Sequence, residues 1–331
     1  MFRKSIDMVA IGDITTDAFI RLKEAQVHCK LNTNDCEICM KFGDKIPFEY
    51  VKVVKAVGNA ANAAVSGARL GLCSALISNV GGDQNGKECL VELQNNKVIT
   101  SFVKVHKDKP TNYHFVLWYG ADRTILVNHV PYEYKLPGFP EPKWLYLTSL
   151  ASGTFEYHSA IADYLEAHPK VRLAFQPGTF QMELGIEKTK RLYARSDVFC
   201  VNVEEAQRIL KTDSRAIKSL LKKITELGPK IAVITDNTDG AYMFDGDHYY
   251  HIPMYPDPRP AFDRTGCGDA FASTFVAALA LGKSPLEALV WAPTNAMSVA
   301  QFVGAQEGLL NMEQLEWWLQ RAPDTFKPRE I

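Results

Sequence analysis

The 331-residue sequence contains no run of eighteen apolar residues, so no helical membrane span is expected. It has almost no net charge: 37 lysines and arginines stand against 38 aspartates and glutamates. Without a basic field to neutralise a phosphate backbone, nucleic-acid binding is not expected. Internal repeats, coiled-coil heptads and low-complexity tracts are absent, which removes solenoid and fibrous architectures. No G-x-G-x-x-G follows the first strand-like run, where Gly12-Asp13-Ile14 stands instead. That argues against a dinucleotide-dependent dehydrogenase. The seven cysteines form an odd set with a single C-x-x-C, Cys36 to Cys39. Arg3 and Lys4 precede only a short apolar run broken by Gly12 and Asp13, which reads as a first strand rather than a signal peptide. The expectation is a soluble cytoplasmic protein with reduced thiols. His28, Cys29, Cys36 and Cys39 match no standard zinc module, and reduced surface thiols are the favoured reading there.

What is present is ample core: 47% of residues are hydrophobic, enough for one large domain with an appendage or for two domains. Apolar strand-like runs alternate with helical patterns. Strands are predicted at Met8–Ile11, Ala75–Val80, Trp144–Leu147, Arg172–Phe175, Val198–Val201 and Ile231–Thr235. Helices are predicted at Asn59–Leu70, Gln84–Asn95, Tyr157–Ala167, Thr189–Ala194, Glu204–Leu210 and Ala216–Leu227. Such alternation argues a mostly parallel sheet covered on both faces. Two stretches break the pattern, Asp17 to Ala56 and Val98 to His129. Both are rich in Val, Phe, Tyr and Thr and lack a long amphipathic helix. They read as a separate small sheet inserted twice. The expected division is a core of residues 1–16, 57–97 and 130–331, with a small sheet from 17–56 and 98–129.

The most informative run is Asp263-Arg264-Thr265-Gly266-Cys267-Gly268-Asp269-Ala270-Phe271, which opens an apolar helical stretch. Gly266 and Gly268 bracket one small residue. Glycines let consecutive N–H groups converge, and a helix start adds unsatisfied donors and a positive dipole end. Gly266, Cys267 and Gly268 can therefore form an anion hole for phosphate. Asp269 places at its edge a carboxylate able to accept a hydroxyl proton. The plainer alternative is a helix cap.

Other segments add to this. Asp13 and Asp17 leave the first strand, where they can grip sugar hydroxyls or form a solvated turn. Gly58-Asn59-Ala60-Ala61-Asn62 opens a small-residue helix; Asn59 and Asn62 offer paired donors and acceptors, or the helix simply packs tightly. Gly81 to Lys87 fits G-x-x-x-x-G-K, but Glu88 stands where Ser or Thr should hold magnesium, and Asp83 adds an anion. It is not a P-loop. Arg123 can reach an anionic group with its planar fork, or sit on a solvated hairpin.

The string Asp263 to Phe271 closely resembles the D-T-x-G-A-G-D signature of the ribokinase, or PfkB, family of sugar and nucleoside kinases. Arg264 stands where Thr is usual and Cys267 where Ala is usual. Gly58 to Ala64 is similar to the family's G-G-N-x-A-N-x-A element, with Val57 in place of the first glycine. Asp83 and Gly86 resemble its G-x-D-x-x-G element, near the substrate pocket. Asn202 and Glu205 resemble its N-x-x-E element, and Thr235 to Gly240 its T-x-G-x-x-G loop, with Asn237 replacing the middle glycine. The motifs run in family order from Gly12 to about Gly308.

The resemblance implies a ribokinase-like, Rossmann-type three-layer α/β/α core with a small inserted β-sheet lid. It implies Asp269 as catalytic base beside the Gly266–Gly268 anion hole, and Asp17, Gly58, Asn59 and Asn62 on the substrate. It implies Asn202 and Glu205 organising Mg2+ and phosphates, Thr235 and Gly240 on ATP, and Asn295 beside the adenine. Asp263 and Thr265, with a Gly304 carbonyl, match positions that hold a monovalent cation such as K+. The implied reaction is transfer of the γ-phosphoryl group of ATP to a hydroxymethyl group of a sugar or nucleoside; the acceptor expected here is ribose or a ribonucleoside. The alternatives are a kinase for fructose or a ketodeoxy sugar acid, or a silent sensor on the same fold. Lid aromatics Phe48, Tyr50, Tyr113, Phe115, Trp118 and Tyr119 are expected either to stack on a nucleobase or to form the lid's own core. Relatives often pair through their lids, so a homodimer is expected there.

Overall fold

A computed structural model describes residues 5–29, 36–120 and 122–331. The first strand, β1 (Met8–Ile11), is wholly buried and leads into β2 (Thr15–Leu22), β3 (Gln26–Cys29), β4 (Cys36–Cys39) and β5 (Phe48–Val57). Next come α1 (Asn59–Arg69), β6 (Ser74–Gly81), α2 (Gln84–Asn95), β7 (Val103–His106), β8 (Tyr113–Tyr119) and β9 (Asp122–Leu126). Regular alternation follows through β10 (Trp144–Leu147), α3 (Phe155–Ala167), β11 (Arg172–Phe175), α4 (Thr179–Leu184), α5 (Ile186–Arg195) and β12 (Ser196–Asn202). It continues with α6 (Val203–Leu210), α7 (Ile217–Glu226), β13 (Ile231–Thr235), β14 (Ala241–Phe244) and β15 (Tyr249–Ile252). The chain closes with α8 (Cys267–Ala280), α9 (Pro285–Val299), α10 (Met312–Leu319) and β16 (Arg329–Glu330).

Among the described residues these strands build a ten-stranded sheet in the order β16-β15-β14-β13-β12-β11-β10-β1-β6-β7. From β7 to β13 the neighbours are parallel; β14, β15 and β16 add an antiparallel edge. One face packs on α1, α8 and α9, the other on α3, α5, α6 and α7, which gives three layers and two apolar cores. Small residues set the closest helix approach. Ala60, Ala61, Ala63 and Ala64 of α1 and Ala270, Ala272, Ala277 and Ala278 of α8 all lie in one core. β1 lies between β6 and β10, so the sheet's winding reverses beside its carboxyl end, where ligands of open α/β sheets bind.

The small sheet has the order β5-β2-β8-β9, with β2 and β8 parallel. It is a lid on that carboxyl edge. Phe19, Val116 and Trp118 from its inner face form a third core with Val303. The register places Asp17 opposite His114. Two expectations change. Val103–His106, assigned to the small sheet, pairs with β6 in the large one, because its neighbour there is an open parallel edge. Cys36 is disulfide-bonded rather than a reduced thiol, with Cys29 opposite it in the β3–β4 register. Cys39 is free. No helix of the described residues is long and apolar enough to cross a membrane.

Candidate active site

Strand ends and one helix start build the site. A cleft of about 590 Å3 lies over the carboxyl ends of β1, β11, β12 and β13, roofed by the small sheet. A second compartment of about 400 Å3 adjoins it; Arg123, Asn202, Thr235, Arg264 and Gly268 line both. Asp269, at the third position of α8, lines the larger compartment beside that shared wall.

The Asp269 carboxylate is fully engaged. Asn59 Nδ2 donates to Oδ1 at 2.9 Å, Asn62 Nδ2 to Oδ2 at 2.8 Å, and Gln176 Nε2 to Oδ1 at 3.2 Å. Tyr146, deeply buried, donates its hydroxyl to Gln176 Oε1, and Gln306 Nε2 donates to Asn62 Oδ1 at 2.9 Å. These partners fix both amide orientations, so their N–H groups face the carboxylate. Burial pushes the Asp269 carboxyl above its ordinary range; the bonds from Asn62 and Gln176, the charge of Arg123 and the bond from Asn59 oppose the rise.

Gly266 caps α8 in the left-handed region (φ 81), and a Cβ there would meet Ala305 Cβ at 2.2 Å. A Cβ on Gly268 would meet nothing within 4 Å. The Cys267 N–H is taken up by Arg264 O at 3.4 Å, and burial pushes the Cys267 thiol up to about 12, so it is no nucleophile. Gly58 carries φ 107, and its missing side chain lets Asp13 O approach where a Cβ would sit at 2.6 Å. Asp13 accepts from Tyr134 Oη and Ala151 N, each at 2.7 Å; burial pushes its carboxyl up to about 6 against those bonds. Asp17 lines the cleft from the lid, 3.4 Å from His114 Nδ1. Arg123 and Arg264 reach the shared wall without an ion pair or side-chain hydrogen bond among the described residues.

On the other side, Asn202 caps α6. It accepts from Glu205 N at 2.8 Å, and Glu205 Oε2 accepts from Asn202 N at 2.9 Å. Both residues line the cleft. Burial pushes the Glu205 carboxyl up, and the charge of Asp269 adds to the rise. A hard cation between these carboxylates would relieve that repulsion, and one or two carboxylates with amide oxygen suit Mg2+. Thr235 and Gly240 border the second compartment, where Asn237 takes the left-handed conformation (φ 44).

Some residues singled out from the sequence lie away from the cleft. Asn295 does not line the cleft. It is fully buried, donating to Thr274 Oγ1 at 2.8 Å and accepting from Leu310 N at 2.9 Å, while Pro293, Ala296 and Met297 on its helix form the wall. Asp263 ties two loops together: Oδ1 accepts from Thr265 N and Oγ1 in its own loop, and Oδ2 from Gly304 N at 2.9 Å in the loop after α9. Thr265 reaches the cleft wall, Asp263 does not. Asp83 lies outside the cleft; it caps α2 and accepts from Thr111 N at 3.0 Å. The six lid aromatics also lie outside it. Trp118 packs edge-on to Phe262 at 5.2 Å, and Phe19 and Phe180 line the cleft instead. His114, His129, Gln176 and Gln306 were not foreseen. Single His and Gln residues in strands and loops carry no pattern, though β-alternation of His114 with Val116 and Trp118 marks one inward face.

The fold and this cleft define a small-molecule kinase. The sequence profile of the pfkB family of carbohydrate kinases matches residues 52–312, and the chain belongs to that family. It is a phosphotransferase with an alcohol group as acceptor. An ATP-dependent 6-phosphofructokinase of Thermoanaerobacterium thermosaccharolyticum is 27% identical over 279 residues, 78% of this chain and 83% of the relative. A nucleoside kinase of Methanothermobacter thermautotrophicus is 27% identical over 262 residues, 76% and 79% of the two chains. The solved Arabidopsis thaliana ribokinase, in complex with ribose and ATP, shares the fold at a TM-score of 0.77 with 20% identity, covering 96% of this chain and 99% of the other.

Proposed function

We propose that this kinase moves the γ-phosphoryl group of ATP to a hydroxymethyl group of ribose or a ribonucleoside, with Asp269 accepting the hydroxyl proton. One observation carries the reading. Asp269 lines the acceptor compartment beside the wall shared with the second, at a helix start where Gly268 leaves open space. A hydroxyl bound against Asp269 and a triphosphate bound along that wall are then in line for transfer. The Arabidopsis relative, whose complex holds ribose and ATP, supports the pairing of compartments.

In this reading Asn59 and Asn62 turn from Asp269 to acceptor hydroxyls, and the carboxylate so released takes the proton as the hydroxyl attacks. Arg123 and Arg264, without an ion pair among the described residues, balance charge on the transferring phosphoryl group. Thr235 and Gly240 border the nucleotide. Mg2+, held by Glu205 and Asn202, supplies further charge neutralisation at the phosphates. The lid excludes water, which limits hydrolysis of ATP.

A second reading, an acidic or phosphorylated sugar as acceptor, is favoured by the guanidinium of Arg123 at the cleft, which has no ion-pair partner among the described residues. The outer lid face carries exposed Val51, Val53, Phe115 and Leu126, which supports pairing of two copies through the lid; light scattering at micromolar concentration tests it. The deciding experiment measures ADP release with ATP, Mg2+ and K+ over ribose, nucleosides, fructose and sugar acids. Stimulation by ribose or a ribonucleoside, reduced by about 10²-fold or more in Asp269→Asn with ATP binding retained, is expected. A flat response with ATP bound would favour a silent sensor.

A further inference from the structure

We propose that His114 and His129, beside the expected substrate residue Asp17, are the specificity-determining residues that read the cis-diol of a furanose acceptor; this rests on the kinase reading and deepens it.

The three side chains come from three segments. Asp17 lies on β2, His114 faces it in register on β8, and His129 follows β9 where the chain returns to the core. All three line the acceptor compartment. They approach without bonding. His114 Nδ1 is 3.4 Å from Asp17 Oδ1, His129 Nδ1 is 3.8 Å from Asp13 Oδ2, and the imidazoles meet edge-on at 5.3 Å. Asp17 Oδ1, His114 Nε2 and His129 Nδ1 are buried and have no hydrogen-bond partner among the described residues. Leaving such atoms unpaired is unfavourable, and these three belong to residues that line the same wall of the cleft.

Their chemistry matches a diol. A carboxylate only accepts hydrogen bonds, whereas a neutral imidazole offers one donor and one acceptor. Burial and the neighbouring His114 hold the His129 pKa down to about 4, so its ring is neutral near pH 7. A hydroxyl set between Asp17 and an imidazole donates to one and accepts from the other. Two adjacent hydroxyls on one ring face satisfy the cluster; a trans pair presents only one to it. Phe180, edge-on to His129 at 5.7 Å, closes the apolar side.

The test compares D-ribose, adenosine and cytidine with their 2-deoxy and arabino counterparts, in the wild type and in His114→Phe, His129→Phe, His114→Gln and His129→Gln. Phe keeps the ring and removes its hydrogen bonds; Gln restores an N–H. Each Phe variant is expected to raise the acceptor KM roughly tenfold with the KM for ATP unchanged, and Gln to recover part of the loss. The decisive reading is non-additivity: the preference for ribo over 2-deoxy acceptors shrinks toward unity in the Phe variants. If a ribo acceptor is phosphorylated and its preference over the 2-deoxy form survives both Phe and Gln variants, this inference is overturned and the kinase reading stands. If no furanose stimulates ADP release by the wild type, the proposed function falls first.

Discussion

Asn62 donates to Asp269 Oδ2 at 2.8 Å while its own carbonyl oxygen accepts from Gln306 at 2.9 Å. The second bond fixes the first: with its oxygen held, the amide can present only N–H to the carboxylate. Gln176 is held in the same way by Tyr146. The Asp269 carboxylate is thus held by oriented amides; under the proposed mechanism a substrate must displace them, a simple guard against ATP hydrolysis in an empty site.

Gln176→Leu tests this restraint. The Gln176 N–H stabilises the ionised form of Asp269, so its loss pushes an already raised carboxyl higher. The acid limb of the kcat profile should move to higher pH. Stability should fall by about 1–3 kcal/mol, because the Tyr146 hydroxyl loses its acceptor. An acid limb that stays in place would remove Gln176 from the proton-transfer unit.

Gly266 and Gly268 should separate folding from catalysis. Alanine at Gly266 is strained twice, by φ 81 and by a 2.2 Å approach to Ala305, and should cost about 2 kcal/mol or more. Alanine at Gly268 enters open space in a helical first turn, where it should leave the melting temperature unchanged or raise it slightly. Its methyl group then occupies the phosphate path, so KM for ATP should rise. A Gly268→Ala enzyme with unaltered ATP kinetics would place the phosphates elsewhere.

Asn295→Ala should behave as a core mutation. It leaves Leu310 N–H and Thr274 Oγ1 without their partner in a fully buried site, at a cost of about 1–3 kcal/mol. KM for ATP should hold at temperatures well below unfolding. A rise in KM without loss of stability would restore the adenine role that its sequence position suggests.

The contrast shows what the sequence makes legible. The buried strands of the parallel sheet are short apolar runs bounded by turns, and Met8–Ile11, Trp144–Leu147, Arg172–Phe175 and Ile231–Thr235 are read from sequence with the bounds they have in the fold. Glycines with demanding backbone, such as Gly266 and Gly58, are legible because few residues can replace them. The antiparallel edge of β14, β15 and β16 is not, since Ala241–Phe244 is apolar throughout, Tyr249–Ile252 is mostly half-exposed Tyr and His, and Arg329–Glu330 is only two exposed residues. Asn295 is misplaced because α9 is apolar nearly all round, so periodicity cannot say which side meets the nucleotide. Gln176, His114 and His129 gain meaning only from partners distant in sequence: Asp269, Asp17 and Asp13.

Asp13 and His129 should impose opposite pH dependence on stability. Asp13 has its carboxyl raised to about 6, above the unfolded value, so its contribution is complete below about pH 4 and fades as pH rises through 6. His129 is lowered to about 4, so its contribution is complete above about pH 6.5 and fades as pH falls through 4. The two lie 3.8 Å apart, yet Asp13 offers little counter-charge at the pH where His129 would take a proton, because it is then largely neutral itself. Between pH 4 and 6 the two contributions therefore run against each other. Relative to wild type, the melting temperature of His129→Phe should improve as pH drops from 7 to 5. That of Asp13→Asn should worsen over the same interval, since wild-type Asp13 is then gaining its favoured proton. Melting differences that stay flat with pH in both variants would mean that neither group titrates from a buried site, and that the acid side of the cleft is open to water.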